Sequence, residues 1–473
     1  MWAMISPDPD SSVARHGWRP CLHRLALLAS CVLASLPATD LASSAVRPQP
    51  VETSSEPVVR IGLLHSIPEA VLSCAGELRV WRRGSGLRGS VFGPGSVLRV
   101  RAVRLPGRQV LPAAGARAQA REGGDGAGAH GESPAGLALD IEREGGRWVE
   151  AGAFGEELLF EPLSREKPLI LSGKPYRGEM LARVATPAAL SIVNVVRIED
   201  YLLGVVPLEM GANPALPAAA LEAQAIAARS YALHYFGRRE ETHGCDLVAG
   251  PEDQVYGGIA AEAPAASRAV RETRGIVATH RGRPIRANYC STCGGRTDGN
   301  GNVWTAQEAL PYLTPVKDQS RGALCEASPY FRWEERWPCE EFAAGILARL
   351  REEVPAARTA ALGRLRDLRV ASRSRSGRVA ILEVVTEGGV FRVLGDRIRW
   401  LIRRPDGGLL RSTLFDRPER AGDDPCVIRI RGGGWGHGVG LCQFGAMEMG
   451  RRGADAEAIL RHYYRGIRLA RWW

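Results

Sequence analysis

The sequence predicts an α+β fold in which mixed β-sheets surround a central Ala-rich helix, with two further helices at the C-terminus. Short apolar runs bounded by Gly and Pro, such as residues 58–64 and 190–196, predict strands. Residues 214–236 instead place apolar side chains at three- and four-residue steps, which is typical of a helix. The 473-residue chain is 45% hydrophobic and 24% charged, so it has the composition of a soluble globular protein with a sizeable core.

The first 45 residues have the pattern of an export signal. Arginines within residues 15–24 precede an apolar stretch at 25–36, and small residues follow at 38–45. An N-terminal anchor or a buried helix is the alternative. Cys31 stands in a sequence that resembles a lipoprotein cleavage box, so membrane contact is expected only through the signal or through lipidation at Cys31. We therefore predict an exported protein of the cell wall, periplasm or extracellular space.

Composition divides the remaining chain into three parts. Residues 46–112 are predicted to be a β-rich segment. Residues 113–150 are a low-complexity stretch rich in Gly and Ala, with almost no large apolar side chain over most of its length, and are predicted to be a disordered insertion. Residues 151–473 are predicted to form the main domain.

Capping residues mark the predicted helices. Asn213 and Pro214 are expected to open the central helix, whose many alanines indicate close packing inside a core. The two C-terminal helices are predicted at 444–451 and 455–464, with Gly453 ending the first and Asp455 capping the second.

The formal net charge is +10, carried almost entirely by arginine. A basic surface attracts anionic polymers, and both nucleic acid and cell-wall polymer qualify. The sequence contains no nucleic-acid-binding motif, so no nucleic-acid partner is expected.

Glu209 is the first candidate for chemistry, because it lies between the apolar run 201–208 and the predicted helix. Burial of a carboxyl group raises its pKa and allows it to act as a general acid near neutral pH. The alternative is a Glu that merely stabilises helix-terminal amides. Arg229, on the central helix, is a candidate partner for a substrate acid, or else part of an ion pair.

Cysteines and histidine form the second group of candidates. Cys290 and Cys293 have the spacing of a metal-ligand or redox pair, and His243 with Cys245 supplies a second pair. Disulfides compete with a zinc site in an exported protein, with Cys293–Cys325 or Cys245–Cys290 as the expected pairings. Free thiols are the third alternative.

The third candidate is the Gly-rich run 431–445, which contains Trp435 and His437. Glycine permits close backbone approach to a ligand or a positive φ. Trp435 offers a flat face on which a sugar can stack, and His437 is a candidate proton carrier. We expect these Gly-rich loops to line a substrate groove, although a glycine-rich packing corner with a structural His explains the pattern equally well.

Several motifs together resemble the stage II sporulation protein D / amidase enhancer (SpoIID/LytB domain) family. They occur in the expected order over 193–466, at 200–210, 223–232, 254–256, 291–295, 434–445 and 459–466. The segment before residue 193 matches only loosely.

The resemblance implies that residues 151–473 form the catalytic domain of a lytic transglycosylase. Such an enzyme cleaves peptidoglycan glycan strands lacking stem peptides, and Glu209 would be its catalytic acid and base. It also implies a groove lined by Gln254, Tyr256, Ser291, Trp435, His437 and Gln443. No cofactor is required for this chemistry, although a structural zinc remains an open possibility. Other members are described as enhancers of a cell-wall amidase, and a wall-binding enhancer is the alternative function. The zinc-binding stretch of some relatives is represented here only by His243 and Cys245.

Overall fold

A computed structural model of the chain describes residues 55–82, 89–105, 135–319, 322–423 and 425–473. The predicted export signal of residues 1–45 lies outside these ranges. Within the described ranges, no helix combines the length and the apolar character that crossing a membrane requires.

Strands dominate the N-terminal part of the chain and recur in its second half. In chain order they are β1 (Val58–Ile67), β2 (Glu69–Cys74), β3 (Leu78–Trp81), β4 (Ser90–Phe92), β5 (Val97–Arg104), β6 (Ala135–Arg143), β7 (Arg147–Phe154), β8 (Glu157–Pro162), β9 (Leu169–Leu171), β10 (Lys174–Tyr176), β11 (Glu179–Thr186), β12 (Ala189–Arg197), β13 (Leu247–Val248), β14 (Ile276–His280), β15 (Arg283–Pro284), β16 (Tyr289–Cys290), β17 (Trp333–Pro338), β18 (Leu365–Arg373), β19 (Val379–Thr386), β20 (Gly389–Leu394), β21 (Glu419–Asp423), β22 (Cys426–Gly432), β23 (Leu441–Cys442) and β24 (Arg468–Arg471).

In the described part of the chain, the α-helices follow β12. In chain order they are α1 (Ile198–Leu203), α2 (Val206–Met210), α3 (Ala218–His234), α4 (Glu240–His243), α5 (Pro264–Glu272), α6 (Asn300–Val303), α7 (Cys339–Glu353), α8 (Arg397–Leu401), α9 (Gln443–Arg451) and α10 (Ala456–Tyr463). Short 3-10 helices lie at Glu144–Gly146, Gly258–Ala261 and Pro355–Ala357. The predicted α+β class is therefore confirmed.

The N-terminal strands belong to the same sheet as the strands that lead into the helical region. A seven-stranded sheet has the order β13-β1-β12-β11-β8-β3-β4, and a six-stranded sheet has the order β10-β9-β2-β5-β6-β7. In the first sheet β1 pairs antiparallel with β12, with Val58 opposite Arg197. Strands from before and after residue 151, where composition divided the chain, therefore pair within one sheet.

The predicted disordered insertion is wrong for residues 135–150, which form β6, a short 3-10 helix and the first half of β7. Leu137 and Leu139 alternate into the core, where both are buried. Asp140 is also buried, and it accepts hydrogen bonds from Arg99 at 3.0 Å and Arg101 at 2.7 Å. The high average content of Gly and Ala in this stretch obscured the alternation of large apolar side chains with a period of two, which is typical of a strand. Residues 113–134 lie outside the described ranges.

The central helix α3 is shorter at its start than predicted. The Asn213 side chain accepts a hydrogen bond from the amide of Ala215 at 2.9 Å, which forms a local turn, and the helix starts after Pro217. Its remaining length is buried on nearly every side, from Ala220 to Leu233. Alanine has a small side chain, so α5, α9 and α10 can pack close to the α3 backbone.

The two C-terminal helices are confirmed as α9 and α10. The Asp455 carboxylate accepts the amide hydrogen of Ala458 at 2.7 Å, so the predicted cap is present. Gly453 between the helices has a φ of 89°, a value that favours glycine.

A second hydrophobic cluster is built from β17–β20 and β22 together with α7 and α8. Cys339, at the start of α7, forms a disulfide with Cys426, at the start of β22. The predicted pairings Cys293–Cys325 and Cys245–Cys290 are wrong, because the four thiols concerned are free.

Replacing Cys339 and Cys426 together with alanine is expected to lower the free energy of unfolding by about 2–4 kcal/mol, because the unfolded chain regains the freedom of the crosslinked loop. Urea unfolding of the oxidised protein measures this change. Reductant should destabilise the wild type but not the double variant. Equal stability of the two proteins under oxidising conditions would contradict the prediction.

Candidate active site around Glu209

Glu209 lies on the short helix α2, and the sequence on both sides of it fixes its position. Tyr201 and Leu202 on α1 are buried, and Val206 and Pro207 at the start of α2 are buried as well. These side chains anchor α1 and α2 in the main core. The side chain of Glu209 itself is only partly buried, so one face of the carboxyl group remains accessible.

The surroundings of the Glu209 carboxyl group are neutral. The amide of Val255 donates a hydrogen bond to Oε1 at 3.1 Å, and the side chains of Tyr289 and Gln443 also hydrogen-bond the carboxylate. Burial disfavours the charged form and raises the pKa of Glu209 to about 7, although the three hydrogen bonds act in the opposite direction. Glu209 is therefore poised to gain and lose a proton near neutral pH.

A second layer of hydrogen bonds holds these partners in place. The Gln254 amide donates to the Tyr289 hydroxyl at 3.0 Å, and the Tyr201 hydroxyl donates to Gln254 Oε1 at 3.2 Å. Because the Tyr289 oxygen accepts from Gln254, its own hydrogen is directed to Glu209. Gln254 is thus brought to the site as predicted, but as a support behind Tyr289, since it is buried.

Gln443 is also brought to the site as predicted. It is the first residue of α9, and its amide nitrogen lies 3.5 Å from Gln224 Oε1 on α3. The parallel pairing of β16 with β23 sets Tyr289 opposite Leu441 and Cys290 opposite Cys442. This pairing explains how two segments far apart in the sequence reach the same carboxyl group.

Tyr289 and Gln224 were not among the predicted site residues. Gln224 stands at the start of the helix motif 223–232, and Tyr289 stands two residues before the motif 291–295. Tyr289 could have been identified as a tyrosine that directly precedes the Cys-Ser-Thr-Cys segment. Gln224 could have been identified as a polar residue on the otherwise apolar core face of an Ala-rich helix.

Arg229 does not lie at the site. Its guanidinium group is fully buried and binds the Glu199 carboxylate through Nε at 3.0 Å and Nη2 at 2.6 Å. It also donates to the carbonyl oxygens of Val270 and Ile276. The ion-pair interpretation is therefore the one that the structure supports for Arg229.

Tyr256 and Ser291 are largely buried next to the site. The Tyr256 hydroxyl donates to Asn194 Oδ1 at 2.9 Å, which ties it to β12. Ser291 Oγ lies 3.3 Å from the hydroxyl of Thr292, and the Ser291 carbonyl accepts the amide hydrogen of Phe444. Both residues therefore support the loops that carry the site.

His437 is partly buried, and its ring is neutral at neutral pH. Burial lowers its pKa to about 4, and its Nδ1 accepts the amide hydrogen of Val439 at 3.0 Å. Its ring packs against Trp304 at 5.0 Å between centroids. An acceptor nitrogen that is already occupied suits a structural role, so the prediction of His437 as a proton carrier is not supported by this geometry.

Trp435 is partly exposed, but its ring has protein neighbours. Its ring centroid lies 4.0 Å from that of Tyr330 in an edge-to-face arrangement. The guanidinium groups of Arg411 and Arg404 lie 4.9 Å and 5.4 Å from the Trp435 centroid. The two arginine contacts are cation–π interactions that fix the ring. Trp435 therefore presents an aromatic surface bordered by positive charge.

The glycines of the Gly-rich run allow its backbone to pack closely against the segment that contains Asn288 and Thr292. A side chain at Gly440 would lie 1.9 Å from the carbonyl oxygen of Asn288, and one at Gly434 would lie 2.6 Å from that of Thr292. Both glycines also have positive φ. The packing-corner interpretation thus describes the run well at these two positions.

The predicted metal ligands are not brought together. His243 packs against His65, Cys245 is buried next to Leu159 and Leu181, and Cys290 is buried without joining a ligand cluster. Only Cys293 belongs to a group of potential ligands. That group, which we call the thiol cluster, consists of Cys293, Asp318, Cys325 and Cys442, all buried and with ligand atoms within 4.8 Å of one another.

Comparison with known proteins identifies the region that contains Glu209. Residues 187–280 match the family model "Stage II sporulation protein" (SpoIID), and residues 319–440 match "Domain of unknown function (DUF8618)".

Three relatives of the chain have low sequence identity to it. An uncharacterized protein of Brachyspira hyodysenteriae is 28% identical over 67% of this chain and 77% of its own length. Stage II sporulation protein D of Bacillus amyloliquefaciens is 27% identical over 58% of this chain and 74% of its own. The amidase enhancer of Bacillus subtilis is 25% identical over 67% of this chain but only 47% of its own length. The resemblance identified from the motifs is confirmed.

Arg229→Ala is expected to lower the free energy of unfolding by about 3–5 kcal/mol, because it leaves the Glu199 carboxylate buried without its partner. Thermal unfolding in the absence of any ligand measures this loss. A double variant, Arg229→Met with Glu199→Gln, should be more stable than Arg229→Ala. Wild-type stability of Arg229→Ala would show that the ion pair has no structural role.

Glu209→Gln is expected to stabilise the protein above neutral pH. The folded-state pKa is raised to about 7 from an ordinary value of 4.5, so Glu209 favours folding below pH 4.5 and loses this contribution as pH rises through 7. Allowing for partial exposure, the variant should exceed the wild type by about 2–3 kcal/mol near pH 8 and converge with it below about pH 4.

Urea unfolding across this pH range measures the difference. Glu308→Gln is the matched control, because its side chain is exposed and its substitution should leave the pH profile unchanged. A parallel pair of profiles for wild type and Glu209→Gln would contradict the raised pKa.

Proposed function

Because the chain carries a SpoIID domain, we propose that it is an exported cell-wall protein that cleaves peptidoglycan glycan strands lacking stem peptides. The reaction is that of a lytic transglycosylase, and Glu209 is its acid and base. The observation that carries the proposal is a partly exposed carboxyl group whose pKa is raised to about 7 by burial among neutral hydrogen-bond partners. Such a group exchanges protons readily at neutral pH.

The use of a single carboxyl group distinguishes this proposal from hydrolysis. Most glycoside hydrolases need a second carboxylate, as nucleophile or as base for water. The described interactions that shift the pKa of Glu209 involve no other carboxylate. Asp253 stands close in sequence to Val255, but its carboxylate is buried and bonded to Arg239 at 2.7 Å and to the amide of Val248 at 2.9 Å. Asp253 is thus occupied in an ion pair.

The proposed reaction regenerates Glu209 without water. The protonated carboxyl group donates its hydrogen to the glycosidic oxygen as the bond from that oxygen to C1 of the muramic acid residue breaks. The carboxylate that results accepts the proton of the muramic C6 hydroxyl, whose oxygen forms the new bond to C1. The products are a 1,6-anhydromuramic end and a free 4-hydroxyl on the leaving sugar, and no metal is needed for this step.

Tyr289 and Gln443 are positioning residues in this scheme. Their hydrogen bonds stabilise the ionised carboxylate, so they keep its pKa from rising further. Gln254 and Gln224 in turn fix these two side chains. The carboxyl group is thereby held in one orientation for both proton transfers, which is the main requirement for a shared acid and base.

The net charge of the chain also suits the proposed substrate. Glycan strands without stem peptides still carry the lactyl carboxylate of each muramic residue, so they are polyanions. A chain with a formal charge of +10 attracts such a polymer at long range.

A wall-binding enhancer of an amidase is the second candidate function. The relative named amidase enhancer, at 25% identity, favours it. A protein that only binds glycan has no need of a carboxyl group with a pKa near neutrality, and this difference separates the two candidates experimentally.

The purified protein is expected to release glycan products with 1,6-anhydromuramic ends from strands stripped of stem peptides, as detected by mass spectrometry. Glu209→Gln should lower the rate by about 10²–10⁴-fold, because the amide cannot donate the proton. Glu308→Gln, which changes an exposed carboxylate, should retain the wild-type rate. The rate of the wild type should fall as pH rises through 7, because the acid form of Glu209 is lost.

Two outcomes would overturn this proposal. Glycan binding without anhydro products from either protein would favour the amidase-enhancer function. Products with reducing muramic ends instead of anhydro ends would indicate hydrolysis by water and a second catalytic group.

A further inference from the structure

We propose that Cys293, Asp318, Cys325 and Cys442 form a structural zinc site. These residues come from three separate segments of the chain and converge in the core, where every one of the four is buried. Three thiols and one carboxylate are ligands that suit zinc, and four protein ligands make a closed site of the structural kind.

The spacing of the sulfur atoms fits a tetrahedral zinc ion. Sγ of Cys293 and Sγ of Cys325 are 3.7 Å apart. Two thiolates bound at about 2.3 Å to the same tetrahedral zinc ion would be separated by about 3.8 Å. All four ligand atoms lie within 4.8 Å of one another, so small adjustments would complete the tetrahedron.

Backbone amides point at the sulfur atoms. The amide of Cys293 donates to Sγ of Cys442 at 3.2 Å, and the amide of Gly295 donates to Sγ of Cys293 at 3.4 Å. The backbone of Gly294 also hydrogen-bonds Cys325. Such donors stabilise the negative charge of metal-bound thiolates and orient them.

The Asp318 carboxylate is oriented in the way that a metal ligand requires. The Tyr463 hydroxyl donates to Oδ1 at 2.7 Å, while Oδ2 faces Sγ of Cys293 at 3.0 Å. His462 Nε2 lies 3.6 Å from Oδ1 and has no other hydrogen-bond partner among the described residues. One oxygen is thus held by the outer residues, and the other is presented to the sulfurs.

A disulfide between Cys293 and Cys325 is the competing explanation. It would use two of the four groups and leave the Cys442 thiol and the Asp318 carboxylate buried beside it. The chain already closes a disulfide elsewhere, between Cys339 and Cys426, whereas the thiol cluster has the separation of atoms that share a central ion. Zinc accounts for all four side chains together.

The proposed ion would brace the active site without taking part in its chemistry. Cys293 follows Tyr289 by four residues, and Cys442 directly precedes Gln443. These are the two segments whose side chains hydrogen-bond Glu209. Zinc would also join Cys325 to Asp318, whose carboxylate is bonded to Tyr463 of α10.

Zinc content measures the proposal directly. The purified full-length protein, analysed for metals by plasma mass spectrometry without added chelator, should contain one zinc ion per chain. Cys325→Ser and Cys442→Ser should each lose most of it. Cys290→Ser is the matched control, because Cys290 is a buried cysteine three residues before Cys293 that lies outside the thiol cluster. It should retain the full zinc content.

A second measurement covers variants that fail to fold. Wild-type protein exchanged with Co²⁺ should show the visible absorption bands of a tetrahedral, thiolate-bound ion. Absence of stoichiometric zinc together with absence of these bands would overturn the proposal. So would a peptide crosslinked through Cys293 and Cys325 in the non-reduced native protein. Glu209→Gln should keep its zinc, so this result stands apart from the outcome of the glycan assay.

Discussion

The pairing of β16 with β23 is the constraint on which the site depends. It is only two residues long on each strand, yet it joins segments whose cysteines, Cys293 and Cys442, are 149 residues apart in the sequence. A pairing this short is not stable by itself. It is held by glycines that allow the two backbones to touch, and by the Tyr464 hydroxyl, which donates to the carbonyl oxygen of Asn288 at 2.7 Å. Everything that approaches Glu209 from these segments depends on this contact.

Glu209 illustrates how a fold sets the proton affinity of one group. Its neighbours are an amide, a phenol and a carboxamide, and none of them carries charge. Two other buried acids are paired with arginine instead, Glu199 with Arg229 and Asp253 with Arg239. The difference is physical: burial without a neighbouring cation raises the pKa of Glu209, whereas Glu199 and Asp253 each have an arginine as a direct partner. The same core therefore contains acids that serve structure and one whose proton is available.

The sequence predicted those features that are encoded locally. Glu209 could be identified because the apolar run and the helix beside it are adjacent in the chain. The Asp455 cap could be identified because its partner is three residues away. The thiol cluster could not be predicted in this way, because Asp318 and Cys325 approach Cys293 only after folding. The spacing of these residues in the sequence does not indicate that they form a cluster. The partner of Arg229 was equally hidden, because Glu199 lies 30 residues earlier on another helix.

The thiol cluster and the acid site have different physical requirements, and the short pairing satisfies both. Proton transfer needs a carboxyl group with an accessible face, so Tyr289 and Glu209 are partly exposed. Metal binding for structure needs exclusion of water and a complete ligand set, so Cys293 and Cys442 are fully buried. Tyr289 on β16 and Gln443 directly after β23 hydrogen-bond Glu209, whereas Cys293 and Cys442 of the same two segments lie in the buried thiol cluster. The proposed zinc site and the proposed acid site therefore use neighbouring residues of the same two segments but no common side chain.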